Sequence, residues 1–67
     1  MPNRYASDFK TPTEIQDWLM RYGIFINRGQ AAGWIQDAQD KVCNWKIRVW
    51  RRNGGNWRLY TEKRNIR

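Results

Sequence analysis

Histidine is absent from this 67-residue chain, and cysteine occurs once, at Cys43. The first absence removes the commonest general base and the commonest metal ligand together. The second excludes an intramolecular disulfide and a thiolate zinc cluster. Long apolar runs are missing too. No stretch reaches the roughly eighteen consecutive apolar residues of a membrane span, and the first residues show no run of the signal-peptide kind. The expectation is a cytosolic, nucleoid-associated protein with no membrane contact. Asp37 and Asp40 are read onto one outward helix face, yet no base or metal partner accompanies them. No catalytic pair, metal site or cofactor is expected, and the chain is read as a non-enzyme.

Acidic residues are scarce in one half only. Residues 1–40 hold four basic and five acidic side chains, a net −1. Residues 41–67 hold nine basic side chains against Glu62 alone, a net +8, which gives the chain its +7. Such an asymmetry points to a polyanionic partner, because Lys and Arg on a phosphate lattice gain Coulomb energy and release condensed counterions. The cations are interleaved with aromatics, as on a strand, rather than run together, and that favours nucleic acid. The mean hydropathy of −0.99 would suit a disordered chain. Five Trp, three Tyr and two Phe argue otherwise, since each buries on the order of 150–250 Å² in a domain whose core is otherwise small. Residues 1–67 are read as one domain.

Residues 1–10 are compatible with a short strand, a helical turn or an arm. Thr11-Pro12-Thr13-Glu14 reads as a capping box with Pro at the first helical position. Ile15, Trp18, Leu19 and Tyr22 then fall on one helical face, and Gly23 ends the element. A first helix is expected over about residues 12–22. Ile24-Phe25-Ile26 is a short apolar connector, expected to be buried under both helices. Asn27 caps a second helix over about 28–40, with Gln30 completing a weaker box. Its inward face is Ala31, Trp34, Ile35 and Ala38, extended to Val42, and its outward face is Gly29, Gln30, Gly33, Gln36, Asp37 and Asp40. Gly29 and Gly33 each cost about 1 kcal/mol relative to Ala, which stability alone does not explain.

Residues 44–62 read as a β-hairpin, with strands over about 44–52 and 56–62 around Asn53-Gly54-Gly55. Requiring the apolar sets to share a face selects an odd loop that pairs Val49 with Leu59. The inner face is then Trp45, Ile47, Val49, Trp57 and Leu59. The outer face is Lys46, Arg48, Trp50, Arg52, Arg58 and Tyr60, ending at Glu62. Trp50 and Tyr60 are expected to be covered, by residues 1–10 or by a second subunit. Residues 63–67 are read as a basic tail. Cys43 is read as a small core residue.

The order helix, connector, helix and basic hairpin resembles the winged helix-turn-helix family of DNA-binding domains. The residues concerned are TPTEIQDWL, NRGQAAGWIQDAQ and KIRVWRRNGGNWRLYTE, within 11–62. The resemblance implies a small α+β domain whose second helix enters the major groove and whose hairpin wing meets phosphates. It would place Asn27, Arg28, Gln30 and Gly33 at the groove and Arg51, Arg52, Asn53 and Asn56 at the wing tip; Lys46, Arg48 and Arg58 add charge along the hairpin. The leading expectation is a small duplex-DNA-binding protein. It would be a transcription regulator or an architectural recombination factor, similar in economy to the excisionase-type proteins of phages and mobile elements. A domain this small covers few base pairs, so a dimer, tandem assembly on DNA or a partner protein would supply specificity. Two alternatives are an RNA or single-stranded DNA binder using Trp50 and Tyr60 as stacking platforms, and a phage-type inhibitor docking its basic face on an acidic host protein.

Overall fold

A computed structural model describes residues 2–66. Strand β1 (Asn3–Tyr5) leads through a single 3-10 turn (Ala6–Asp8) to helices α1 (Pro12–Met20) and α2 (Arg28–Gln39), followed by strands β2 (Asn44–Trp50) and β3 (Arg58–Arg64). The strands form one antiparallel sheet in the order β1-β2-β3. The α+β class and the two helices with a following hairpin agree with expectation. The N-terminal segment is the addition: it is a third strand and a turn, and it delivers Ala6 and Phe9 to the core. No helix among the described residues is long and apolar enough to cross a membrane.

Both helix starts are capped by side chains. Thr11, in extended backbone, accepts from the Glu14 amide at 3.3 Å, while Pro12 occupies the first turn, where no donor is needed. Asn27 accepts from the Gln30 amide at 2.6 Å. The two helix ends share a geometry but not a residue type. Gly23, at φ +74°, donates to the Met20 carbonyl, and Ile24 donates to Leu19. This closure ends α1 at Met20, earlier than expected, and makes residues 21–23 the terminating turn. At α2, Lys41 takes the same left-handed position at φ 56°, donating to Ala38 while Val42 donates to Asp37.

The helices cover one face of the sheet. Ile15, Leu19, Ile47, Val49 and Cys43 are fully buried, with Trp18, Trp34, Ile35 and Phe9 packed around them. Four residues depart from expectation. Phe25 is 76% exposed, because a connector of alternating side chains half-buries Ile24 and Ile26 and turns the residue between them outward. Val42 is 57% exposed, since the chain has already left the helix at Lys41. Leu59 is only half-buried. Asp37 does not face outward: it is half-buried, and its carboxylate accepts from the Trp45 indole at 2.8 Å.

The hairpin register is the expected one, with Val49 opposite Leu59 and Trp50 opposite Arg58. Its tip is a type I′ turn: Asn53 (φ 50°) and Gly54 (φ 74°) are both left-handed, and the Gly55 amide donates to the Arg52 carbonyl at 2.9 Å. One extra residue on the return side makes the loop odd. The strands end at Trp50 and begin again at Arg58, so 51–57 is a longer loop than expected. Lys63 and Arg64, expected in a loose tail, are the end of β3. Arg67, the last residue of that tail, lies outside the described residues.

A Lys in the left-handed region carries a steric cost of about 1–2 kcal/mol that Gly escapes. Lys41→Gly is therefore expected to raise unfolding stability by about 1 kcal/mol in urea denaturation, after the added freedom of glycine in the unfolded chain. A loss of stability would place the importance of Lys41 in its side chain.

Candidate functional site

The expected site residues divide into three groups. In the first turn of α2, the side-chain oxygen of Asn27 is already engaged in capping. Arg28 donates from Nη1 to Thr13 Oγ1 at 2.7 Å, which holds the exposed guanidinium against the start of α1. Gln30 has its amide capped and its side chain exposed. A Cβ added at Gly33 would meet nothing within 4 Å, so internal packing does not demand glycine there. This turn leaves Arg28, Gln30 and Gly33 exposed to solvent.

The second group is the hairpin tip. Arg51 stacks its guanidinium over the Trp57 ring, 4.6 Å from the centroid. Trp57 in turn meets Tyr22 edge to face at 5.0 Å. Arg51 is thus oriented rather than free. Arg52, Asn53, Gly54, Gly55 and Asn56 are all exposed.

The third group lies on the outer sheet face. Lys46 stands opposite Glu62, Arg48 opposite Tyr60, and Arg58 opposite Trp50. Arg48 donates to Glu62 at 3.3 Å and Arg64 approaches the same carboxylate at 3.6 Å. Both ion pairs among the described residues therefore share Glu62. Lys46, Arg51, Arg52, Arg58 and Lys63 form no ion pair among the described residues.

The first two groups meet opposite ends of α1. Arg28 bonds Thr13 in its first turn, while Trp57 packs on Tyr22 just past its last. Nine helical residues rise about 13 Å, so the α2 turn and the wing base are separate surfaces a helix length apart.

Asn3–Tyr5 pair beside β2, with Asn3 opposite Arg48 and Tyr5 opposite Lys46, so this segment extends the sheet at its edge and does not lie over the outer face. The expected covering of Trp50 and Tyr60 by this segment is thereby overturned: Tyr60 is 48% exposed and Trp50 only half-buried. The alternation of Lys46, Arg48, Trp50, Arg58 and Tyr60 already carried this signal. It was outweighed by the general rule that small domains seldom leave Trp bare, and the rule assumes something is available to cover it. No protein-family model matches the chain, and no curated protein or solved structure matches it either.

Carboxylates on the outward face of α2 would repel phosphate, and Asp37 is turned away from that face. Its carboxylate serves the Trp45 indole and lies 4.0 Å from the Cys43 thiol; Asp40, by contrast, accepts from Gln36 at 2.9 Å and stays exposed. Removing an acceptor from a buried donor costs about 1–3 kcal/mol. Asp37→Ala should destabilise the fold by that amount in chemical denaturation, and Asp37→Asn, which keeps an acceptor oxygen, by clearly less. Equal losses would show that charge rather than the indole bond matters at this position.

Proposed function

We propose that the chain is a small duplex-DNA-binding protein of winged helix-turn-helix type, acting as a transcription regulator or architectural recombination factor. The observation that carries this reading is the hairpin tip: Arg51 oriented on Trp57 and Arg52 beside it at a type I′ turn, with neither in an ion pair among the described residues. A guanidinium held in place loses less side-chain entropy on meeting a phosphate than a free one. The α2 turn supports the same reading. Arg28 and Gln30 can make bidentate contacts in the major groove, worth roughly 1–3 kcal/mol of discrimination per base pair. Gly33 allows close approach of that helix. The separation of about 13 Å along α1 is similar to the width of a major groove, about 12 Å, so helix and wing can engage neighbouring features of one duplex.

In this division of labour the wing supplies affinity and the helix supplies specificity. Replacing Arg51 and Arg52 together by Ala should weaken binding to every duplex sequence. It should also flatten the dependence of log affinity on log salt by about one to two units, because each phosphate contact contributes roughly 0.9. An unchanged slope in a salt-dependent titration removes the wing from the interface.

Arg28→Ala and Gln30→Ala should instead narrow the gap between target and random duplex, by about 1–3 kcal/mol each, with circular dichroism unchanged. The target is obtained first by selection from a random duplex pool. If either substitution weakens target and random duplex equally, α2 is an anchor and does not read sequence.

A further inference from the structure

Among the described residues, no helix packs on the outer face of the sheet. Antiparallel partners point the same way, so Asn3 and Tyr5 on β1, Lys46, Arg48 and Trp50 on β2, and Arg58, Tyr60 and Glu62 on β3 form one surface. The helices pack on the reverse, where Ile47 and Val49 are fully buried. On the outer surface Trp50 and Tyr60 meet edge to face with centroids 6.4 Å apart. Together with Arg48 they line an open cleft of about 230 Å³.

Three properties of this surface select an occupant. The half-buried Trp50 ring, the exposed Tyr60 ring and a guanidinium offer flat faces, which favour a planar aromatic ligand. Arg58 stands opposite Trp50 and forms no ion pair among the described residues, which favours a ligand that carries anionic groups along its length. The cleft is open, so it suits a chain laid across the sheet. A duplex satisfies the second property but hides its base faces inside the stack. A single strand satisfies all three. We infer that this face binds single-stranded nucleic acid, with bases stacking on Trp50 and Tyr60 and phosphates tracked by Arg58. Glu62 holds Arg48 and Arg64 at one end of the surface and repels phosphate there. The strand therefore lies toward the Trp50–Arg58 end. This goes beyond the duplex proposal and does not rest on it, since the α2 turn and hairpin tip are not part of the surface.

The test compares a labelled oligothymidylate of about a dozen nucleotides, within the roughly 4–16 that one small single-strand site covers, with a duplex of equal length. Anisotropy titrations are run at about 50 mM salt, where electrostatic binding is strong. Trp50→Ala and Tyr60→Ala should each weaken oligothymidylate binding by roughly 5- to 150-fold, the range reported by removing one stacking side chain. Duplex affinity should change less than about twofold, because no phosphate contact is removed. Trp50→Phe, which keeps a ring, should retain most of the single-strand affinity, and thermal melts should stay cooperative in all three. Should Trp50→Ala fail to fold, Tyr60→Ala at a half-exposed position decides. Single-strand binding that survives both ring deletions overturns the inference, as does no single-strand binding by the wild type. Wing-dependent duplex binding in the same titrations would leave the duplex proposal standing in either case. Ring-dependent single-strand binding with no duplex binding overturns the duplex proposal and upholds this one.

Discussion

A row of four aromatic rings holds the parts of this molecule in their relative positions. Phe9 meets Trp18 at 5.8 Å, Trp18 meets Tyr22 at 5.6 Å, and Tyr22 meets Trp57 at 5.0 Å. Arg4 lies over the first ring and Arg51 over the last. The row therefore joins the N-terminal strand and turn, the C-terminal end of α1, and the base of the wing. Three such ring pairs are worth about 2–4 kcal/mol beyond the area they bury. For a domain of this size, total stability is only about 3–10 kcal/mol, so the row is a large share of it. Without Trp57 on Tyr22, the hairpin tip would be tied to the helices only through the sheet. Its two arginines would then hold no defined place relative to α2.

A second constraint follows from having two helices and three strands: only one sheet face can be covered. With helices on one side, the chain is a slab about 15 Å across its thinnest dimension. All fully buried aliphatic residues of the sheet fall on the helical side, and every cation of β2 falls on the other. Strand parity alone thus converts the sequence alternation into two surfaces of different chemistry. Asp37 contributes at the edge of this arrangement. By accepting hydrogen bonds from the Trp45 indole on its carboxylate and from the Val42 and Cys43 amides on its backbone carbonyl, it pins the end of α2 to the start of β2.

Much of this was legible beforehand, for identifiable reasons. Thr11, Asn27 and Gly23 act locally, through bonds spanning three to five residues, and local chemistry survives any tertiary arrangement. The hairpin register followed from one requirement, that Ile47, Val49 and Leu59 share a face, and the type I′ residues Asn53-Gly54 fit it. The misreadings concern contacts distant in sequence. Asp37 looked outward by helical periodicity, but its bond to Trp45 depends on how the chain turns at Lys41. Residues 1–10 were undecided because β1 is three residues long and exists only by pairing with β2. The covering of Trp50 and Tyr60 by the N-terminal segment was misread for the same reason: Asn3–Tyr5 pair beside β2 instead. Of the candidate site, the exposed tip was readable from its turn chemistry. The ring stack under Arg51 and the bond from Arg28 to Thr13 were not, since each joins elements separated by a turn or a loop.

Glu62 shows how the two proposed surfaces can coexist on so small a domain. Nine cations in the second half of the chain repel one another, and a single carboxylate cannot neutralise them. Its position decides where the remaining field is strongest. Sitting opposite Lys46 and bonded to Arg48 and Arg64, it lowers the potential at the end of the sheet away from the hairpin tip. The unpaired cations Arg51, Arg52 and Arg58 cluster at the other end, where β2 and β3 meet the loop. Arg58 belongs to the sheet face and Arg51 and Arg52 to the tip, and Trp50 stands opposite Arg58 between them. A duplex gripped by the tip and a single strand laid over Trp50 and Tyr60 would therefore draw on one continuous zone of positive potential. Charges this close lie well within a Debye length of about 10 Å at 0.1 M salt. Polyanion bound at either surface lowers the field at the other, which makes the two modes antagonistic on one molecule unless a single nucleic acid offers both a duplex and an adjoining unpaired strand.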